Sequence, residues 1–99
     1  MENQHRKIKG YRELSQEEID LMNRIKAKGA EMLVLQAELQ SMLHKQKTLK
    51  ELGAETDIGA VEFERFCDAE PLRWASIGKT DIQTGIMALV RAVAQPAGV

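Results

Sequence analysis

The chain contains little cysteine, histidine or aromatic residue, and each shortage excludes a class of structure. Its only cysteine, Cys67, cannot form an internal disulfide bond, and its two histidines belong to no cluster with metal-ligand spacing. Aromatic residues make up 4% of the chain, so aliphatic side chains and methionine must supply most of the core. We therefore predict a cytoplasmic protein without a structural metal or a cofactor.

The chain also lacks an excess of one charge and a long apolar run. Its 14 basic and 15 acidic residues give a net charge of -1, which argues against a general binder of DNA or RNA. The longest apolar run, IMALV, is far short of the roughly 20 residues that cross a bilayer. The polar start of the chain does not resemble a signal peptide. The 99 residues predict one soluble domain with no membrane partner.

The periodicity of the sequence predicts an all-α fold. Ser15 and Glu18 fit a helix-capping box, with Leu14 and Ile19 at the positions of a hydrophobic staple. We predict a basic arm over residues 1–14, a long helix over 15–52, a variable turn region over 53–70 that includes a partial helical segment, and a second helix over 71–95. The two helices would form a long antiparallel hairpin. The predicted packing stripes are Ile25, Gly29, Met32, Leu35, Leu39 and Met42 on the first helix, and Ile82, Ile86, Leu89 and Val93 on the second.

Such a hairpin leaves apolar residues without cover, which predicts self-association into a symmetric homo-oligomer. The residues in excess of the two stripes are Leu33, Val34, Leu43, Trp74 and Ile77. Gly78, Gly85 and Ala92 form a further stripe of small residues that would admit a neighbouring helix or a ligand.

No sequence motif supports catalysis. The segment SIGKTD resembles the end of a phosphate-binding loop, but Arg73 stands where that motif requires its first glycine. His5 and His44 lack the carboxylate spacing of di-metal helical bundles. We predict that the protein is not an enzyme.

The basic start is the best candidate for a binding site. Lys7, Lys9 and Arg12 surround the only tyrosine, Tyr11, and Gly10 beside it permits close approach of the backbone. An aromatic ring next to cations suits a nucleotide, because the ring stacks on a base and the cations bind phosphate. Lys26 follows further along the first helix. Three alternatives remain open: a solvated charged face, a helical nucleic-acid-binding module, and a purely structural assembly protein.

Two segments resemble a known family. KIKGYRELSQEEIDLMNRIKAKG and PLRWASIGKTDIQTGIMALVRAVAQP are similar to the phage anti-CBASS type 2 proteins, small helical sponges that share a hairpin domain with the anti-Thoeris type 1 sponges. The resemblance covers roughly residues 5–43 and 71–96 and does not extend to residues 44–70. It implies a homohexamer in the cytoplasm of the infected bacterium. Such a protein sequesters cyclic dinucleotides such as 3',3'-cGAMP, and cyclic trinucleotides, without cleaving them.

The resemblance also implies roles for individual residues. Tyr11 would stack on a base and Lys26 would hold a phosphate or ribose, with Gly10 and Arg12 beside them. Arg73 would bind phosphate in a separate trinucleotide site, which Lys28 would border.

Overall fold

The computed structural model describes residues 12–97 and consists of helices over this part of the chain. Helix α1 spans Gln16–Leu52, a short 3-10 turn spans Gly53–Glu55, α2 spans Asp57–Ala69 and α3 spans Pro71–Ala94. No strand occurs between residues 12 and 97. The expected all-α hairpin of two long helices is confirmed. The region 53–70, expected to combine a turn with a partial helical segment, contains the 3-10 turn and the 13-residue helix α2.

The ends of the helices follow from local chemistry. The Ser15 N–H donates to Glu18 Oε1 (2.9 Å) while the Glu18 N–H donates to Ser15 Oγ (3.1 Å), so the capping box at the start of α1 is formed. Between α2 and α3 lies Glu70 alone, in the left-handed conformation with φ 50°. Pro71 then opens α3, where its missing N–H costs no helical hydrogen bond.

The chain divides into two compact units, Met1–Glu31 with Ile82–Val99, and Met32–Asp81. In the first unit, the described residues 12–31 and 82–97 pack the start of α1 against the end of α3. Gly29 is buried, and a Cβ atom at this position would overlap the Ile86 side chain, whose Cγ1 would lie only 2.6 Å away. The glycine therefore allows α1 and α3 to approach closely here.

The second unit contains four buried residues: Gln36, Leu43, Phe66 and Ala75. Gln36 is the polar member of this core, and its Nε2 atom donates to the Ala75 carbonyl (3.0 Å) and to Gln40 Oε1 (2.9 Å). These bonds satisfy the amide N–H groups, whose burial would otherwise be costly. A buried amide therefore links α1 to α3 in this unit.

This arrangement corrects the predicted packing stripes. On α1, Met32, Leu35, Leu39 and Met42 are 43% to 59% exposed, whereas Gln36 and Leu43 occupy the packing face. On α3, Leu89 is exposed and Val90 is the half-buried residue. Of the residues expected to need outside cover, Leu43 is buried within the chain, while Val34 and Trp74 remain exposed. The prediction failed because hydropathy assigns glutamine to the surface, whereas Gln36 is buried with its hydrogen bonds made.

Helix α2 buries Phe66 and carries Glu62, which forms a charged cluster with Arg65 and with Lys50 of α1. The Thr56 hydroxyl caps the helix by accepting from the Gly59 N–H (2.9 Å). The Glu62 carboxylate pairs with Arg65 (2.6 Å) and with Lys50 of α1 (2.8 Å). The hydrogen bond from Arg65, and next the one from Lys50, lower the pKa of Glu62 to about 2. The Lys50 ammonium also lies 5.9 Å from the centre of the Phe66 ring.

Gly59→Ala is expected to destabilise the protein by about 1–3 kcal/mol, the usual range for overpacking. The new methyl group would overlap the Gly53 carbonyl oxygen and lie 2.7 Å from its carbon and 2.8 Å from Thr56 Oγ1. Two of these atoms are backbone and cannot rotate away. Denaturant unfolding followed by circular dichroism measures the change. Gly53→Ala is the matched control, because its methyl group meets no atom within 4 Å; equal stability of the two variants would contradict the prediction.

No helix of residues 12–97 is both long and apolar enough to cross a membrane.

Candidate ligand-binding site

Four of the predicted site residues lie in the described part of the chain: Arg12, Lys26, Lys28 and Arg73. The other two, Gly10 and Tyr11, lie outside the described residues. Arg12, Lys26 and Lys28 belong to the first compact unit, and Arg73 belongs to the second.

Arg12 is bound to both helices of the first unit. Its Nε donates to the Ala94 carbonyl (3.2 Å) and its Nη2 to the Val93 carbonyl (2.9 Å), both at the end of α3. Nη2 also lies 2.5 Å from Glu18 Oε2 near the start of α1. The Ser15 N–H and then the Arg12 guanidinium hold the pKa of Glu18 below its usual value. The Arg12 guanidinium is thus already bonded to protein groups and is not an unpaired cation.

Lys26 is exposed on α1, one turn before the buried Gly29. None of the ion pairs between residues 12 and 97 involves it. The α-helical rise places it roughly 15 Å along the axis from the first residue of α1. Because it has no carboxylate partner among residues 12–97, the exposed ammonium can direct its donors to a phosphate or ribose oxygen.

Lys28 points to a different side of α1 from Lys26. A helix turns about 100° per residue, so a rotation of about 200° leaves the two side chains roughly 160° apart around the axis. They therefore lie at opposite edges of the packing face that contains Ile25 and Gly29. The Lys28 side chain is 81% exposed, and its ammonium lies 3.7 Å from Glu31. A single small ligand on one chain would not contact both lysines.

Arg73 lies in the first turn of α3 and is also exposed. Its guanidinium stacks over the Trp74 ring at 5.1 Å and lies 3.7 Å from a Glu70 carboxylate oxygen. Both contacts are at the surface, where an ion pair contributes little. The guanidinium is therefore available to a phosphate that approaches from solvent, with the half-exposed Trp74 beside it.

Sequence reasoning missed the contacts that hold Arg12. The Val93 and Ala94 carbonyls lie more than 80 residues away in sequence, so no local pattern signals them. The sequence indicates Glu18 as a capping residue, but no sequence pattern indicates its second role as the partner of Arg12. Pairing Arg12 with the end of α3 requires the hairpin register, which the sequence does not specify by itself.

Residues 12–97 contain no group of three His, Cys, Asp or Glu residues placed to hold a metal ion. A wide, open and mainly apolar groove lies on α2 between Ile58, Val61 and Arg65. None of the predicted ligand-binding residues lines it.

Comparison with known proteins agrees with the helical architecture. Residues 3–94 match the family described as "Acb2/Tad1, hairpin domain". A relative named anti-CBASS protein 2, from Pseudomonas phage JBD67, is 58% identical over 107 aligned residues that cover 99% of each chain. Both matches include the segment 44–70, which the resemblance of the two motifs did not reach. The chain belongs to the Acb2/Tad1 hairpin-domain family.

Proposed function

We propose that this protein is a non-enzymatic sponge that binds cyclic di- and trinucleotides and so blocks CBASS antiphage immunity. The observation that carries the proposal is the match along 99% of the chain to a protein named for acting against CBASS. At 58% identity over matched lengths, the two chains share one fold. The protein would act in the cytoplasm of the infected bacterium, where the messenger is made.

The dinucleotide site would be built from the arm and α1. Tyr11 stacks on a base, Gly10 lets the backbone approach, and Lys26 binds a phosphate or ribose oxygen. The exposed ammonium of Lys26, which makes no ion pair among residues 12–97, supports this role. Arg12 belongs to the same site through its place directly after Tyr11.

The trinucleotide site would be separate and would use Arg73, with Lys28 at its border. The exposure of the Arg73 guanidinium beside Trp74 supports phosphate binding with an aromatic face nearby. The divergence of Lys26 and Lys28 around α1 supports two sites, because one compact ligand on a single chain does not contact both.

The functional form would be a homohexamer. The exposed apolar row of Met32, Leu35, Leu39 and Met42 supports assembly, since several aliphatic side chains in line on one helix gain stability when another chain covers them. A hexamer has both two-fold and three-fold axes, which suit ligands built from two and from three equivalent nucleotides.

Sequestration requires slow release of the ligand and no chemistry. To test this, the protein is incubated with 3',3'-cGAMP, passed through a filter that retains protein, and then denatured by heat. We expect the nucleotide to disappear from the filtrate and to return intact on heating, as measured by mass spectrometry. A hydrolysed nucleotide would indicate an enzyme, and an undepleted filtrate would contradict binding; a linear dinucleotide run in parallel controls for nonspecific retention.

A further inference from the structure

Arg12 joins the start of α1 to the end of α3. Its guanidinium donates to the Val93 and Ala94 carbonyls and pairs with Glu18 Oε2 at 2.5 Å. All three partners belong to the same compact unit as Arg12. The residue therefore has contacts on both helices immediately after the predicted base-stacking Tyr11.

The end of α3 explains why an arginine suits this position. The last carbonyls of a helix have no partner within it and carry partial negative charge. Gln95, in the left-handed conformation with φ 50°, satisfies the Arg91 carbonyl through its own N–H (2.7 Å), and Pro96 cannot continue the helix. The Val93 and Ala94 carbonyls are instead bonded by the planar fork of Arg12, which lysine could not reproduce.

We propose that Arg12 is a positioning residue that fixes where the ligand-binding arm leaves the helical hairpin, and that it acts on the ligand through Tyr11. This inference rests on the proposed function. Two of the three guanidinium nitrogens are already bonded to protein, and the side chain is only 36% exposed. A ligand phosphate would have to displace those bonds, whereas Lys26 has no competing ion pair within residues 12–97.

A positioning residue and a contact residue have different kinetic effects. A residue that raises the fraction of protein with the arm correctly placed raises the apparent affinity in proportion to that fraction. Its loss slows association, because fewer molecules are competent when the ligand arrives. The loss of a direct contact mainly speeds dissociation. The two roles of Arg12 can therefore be separated by rate measurements.

The first experiment needs no ligand. Tyr11 is the only tyrosine, so protein labelled with 15N-tyrosine gives one amide resonance. We expect the heteronuclear NOE of this amide to fall clearly in Arg12→Gln, which reports faster motion of the arm. Arg91→Gln is the matched control, since it removes the same charge from the last turn of α3 without removing these bonds, and it should leave the NOE unchanged. An unchanged NOE in Arg12→Gln would overturn the proposal.

The second experiment measures association and dissociation of 3',3'-cGAMP with the full-length variants. If the competent fraction falls to about one tenth, Arg12→Gln should associate about tenfold more slowly, with nearly unchanged dissociation. Arg12→Lys should recover only part of the rate. Faster dissociation at a normal association rate would overturn the proposal and make Arg12 a ligand contact.

Two further outcomes are informative. If Arg12→Gln unfolds, Glu18→Gln serves instead, because glutamine preserves the capping box while the charged partner of Arg12 is lost; it should produce a smaller change in the same direction. If the unmodified protein does not bind 3',3'-cGAMP at all, the proposed function fails. The ligand-free NOE comparison then still decides whether Arg12 positions the arm.

Discussion

Tyr11→Ala and Lys26→Ala are each expected to abolish retention of 3',3'-cGAMP while leaving the helical content unchanged. Stacking on an aromatic side chain contributes about 1–3 kcal/mol per base, so losing it at both bases of a dinucleotide weakens binding by about 30-fold or more. The hydrogen bond proposed between Lys26 and the ligand is charge-assisted and would be worth roughly 1.5–3 kcal/mol. Isothermal calorimetry measures both losses, and circular dichroism checks the fold.

Conservative and distant substitutions provide the controls. Tyr11→Phe keeps the ring and should bind nearly as well as the unmodified protein. Lys47→Ala removes a charge from an exposed position on α1 and should have no effect. Retained binding by Tyr11→Ala would remove the base-stacking role, and an equal loss in Lys47→Ala would show that net charge, and not the site, determines affinity.

Mixing the two inactive variants tests whether the site is shared between chains. If Tyr11 of one chain meets Lys26 of another, co-refolded Tyr11→Ala and Lys26→Ala proteins regain a fraction of intact sites. If both residues come from one chain, each mixed site still lacks one of them and binding stays lost. The result is read as recovered nucleotide depletion relative to each variant alone.

The sequence predicted the ends of the long helices better than their packing. The capping box at Ser15 and Glu18 and the proline at the start of α3 depend on interactions within a few residues. Helix ends can therefore be predicted from a few neighbouring residues. The packing face of α1 depends instead on which residues of α3 lie opposite, and Gln36 is buried because the Ala75 carbonyl is there to accept its hydrogen bond.

The same distinction applies to the candidate site. Exposed positions such as Lys26 and Arg73 could be chosen from residue type, motif and resemblance. The contacts of Arg12 could not, because Val93 and Ala94 adjoin it only after the hairpin has formed. Residues 53–70 were predictable in part, because their glycines indicate a turn. The Thr56 hydroxyl, however, caps the start of α2, and Gly59 allows close packing against the Gly53 carbonyl.

Leu35→Glu combined with Leu39→Glu is expected to dissociate the proposed homohexamer into single chains. The two leucines lie in the exposed row with Met32 and Met42, at alternating spacings of three and four residues that keep them on one side of α1. Burial of a leucine contributes about 1.5–3 kcal/mol, and an unpaired carboxylate in the same place is strongly unfavourable. The substitutions therefore affect every subunit contact that this row makes.

Sedimentation velocity measures the outcome. The unmodified protein should sediment as about six copies of the 11.1 kDa chain, and the double variant as one. Ile58→Glu places one such carboxylate on an apolar side chain of α2 that is even more exposed, and it should leave the mass unchanged. A double variant that keeps the full mass would show that the row is not an interface. If the dissociated form is helical but fails to retain 3',3'-cGAMP, binding depends on assembly; if it still binds, one chain supplies a complete site.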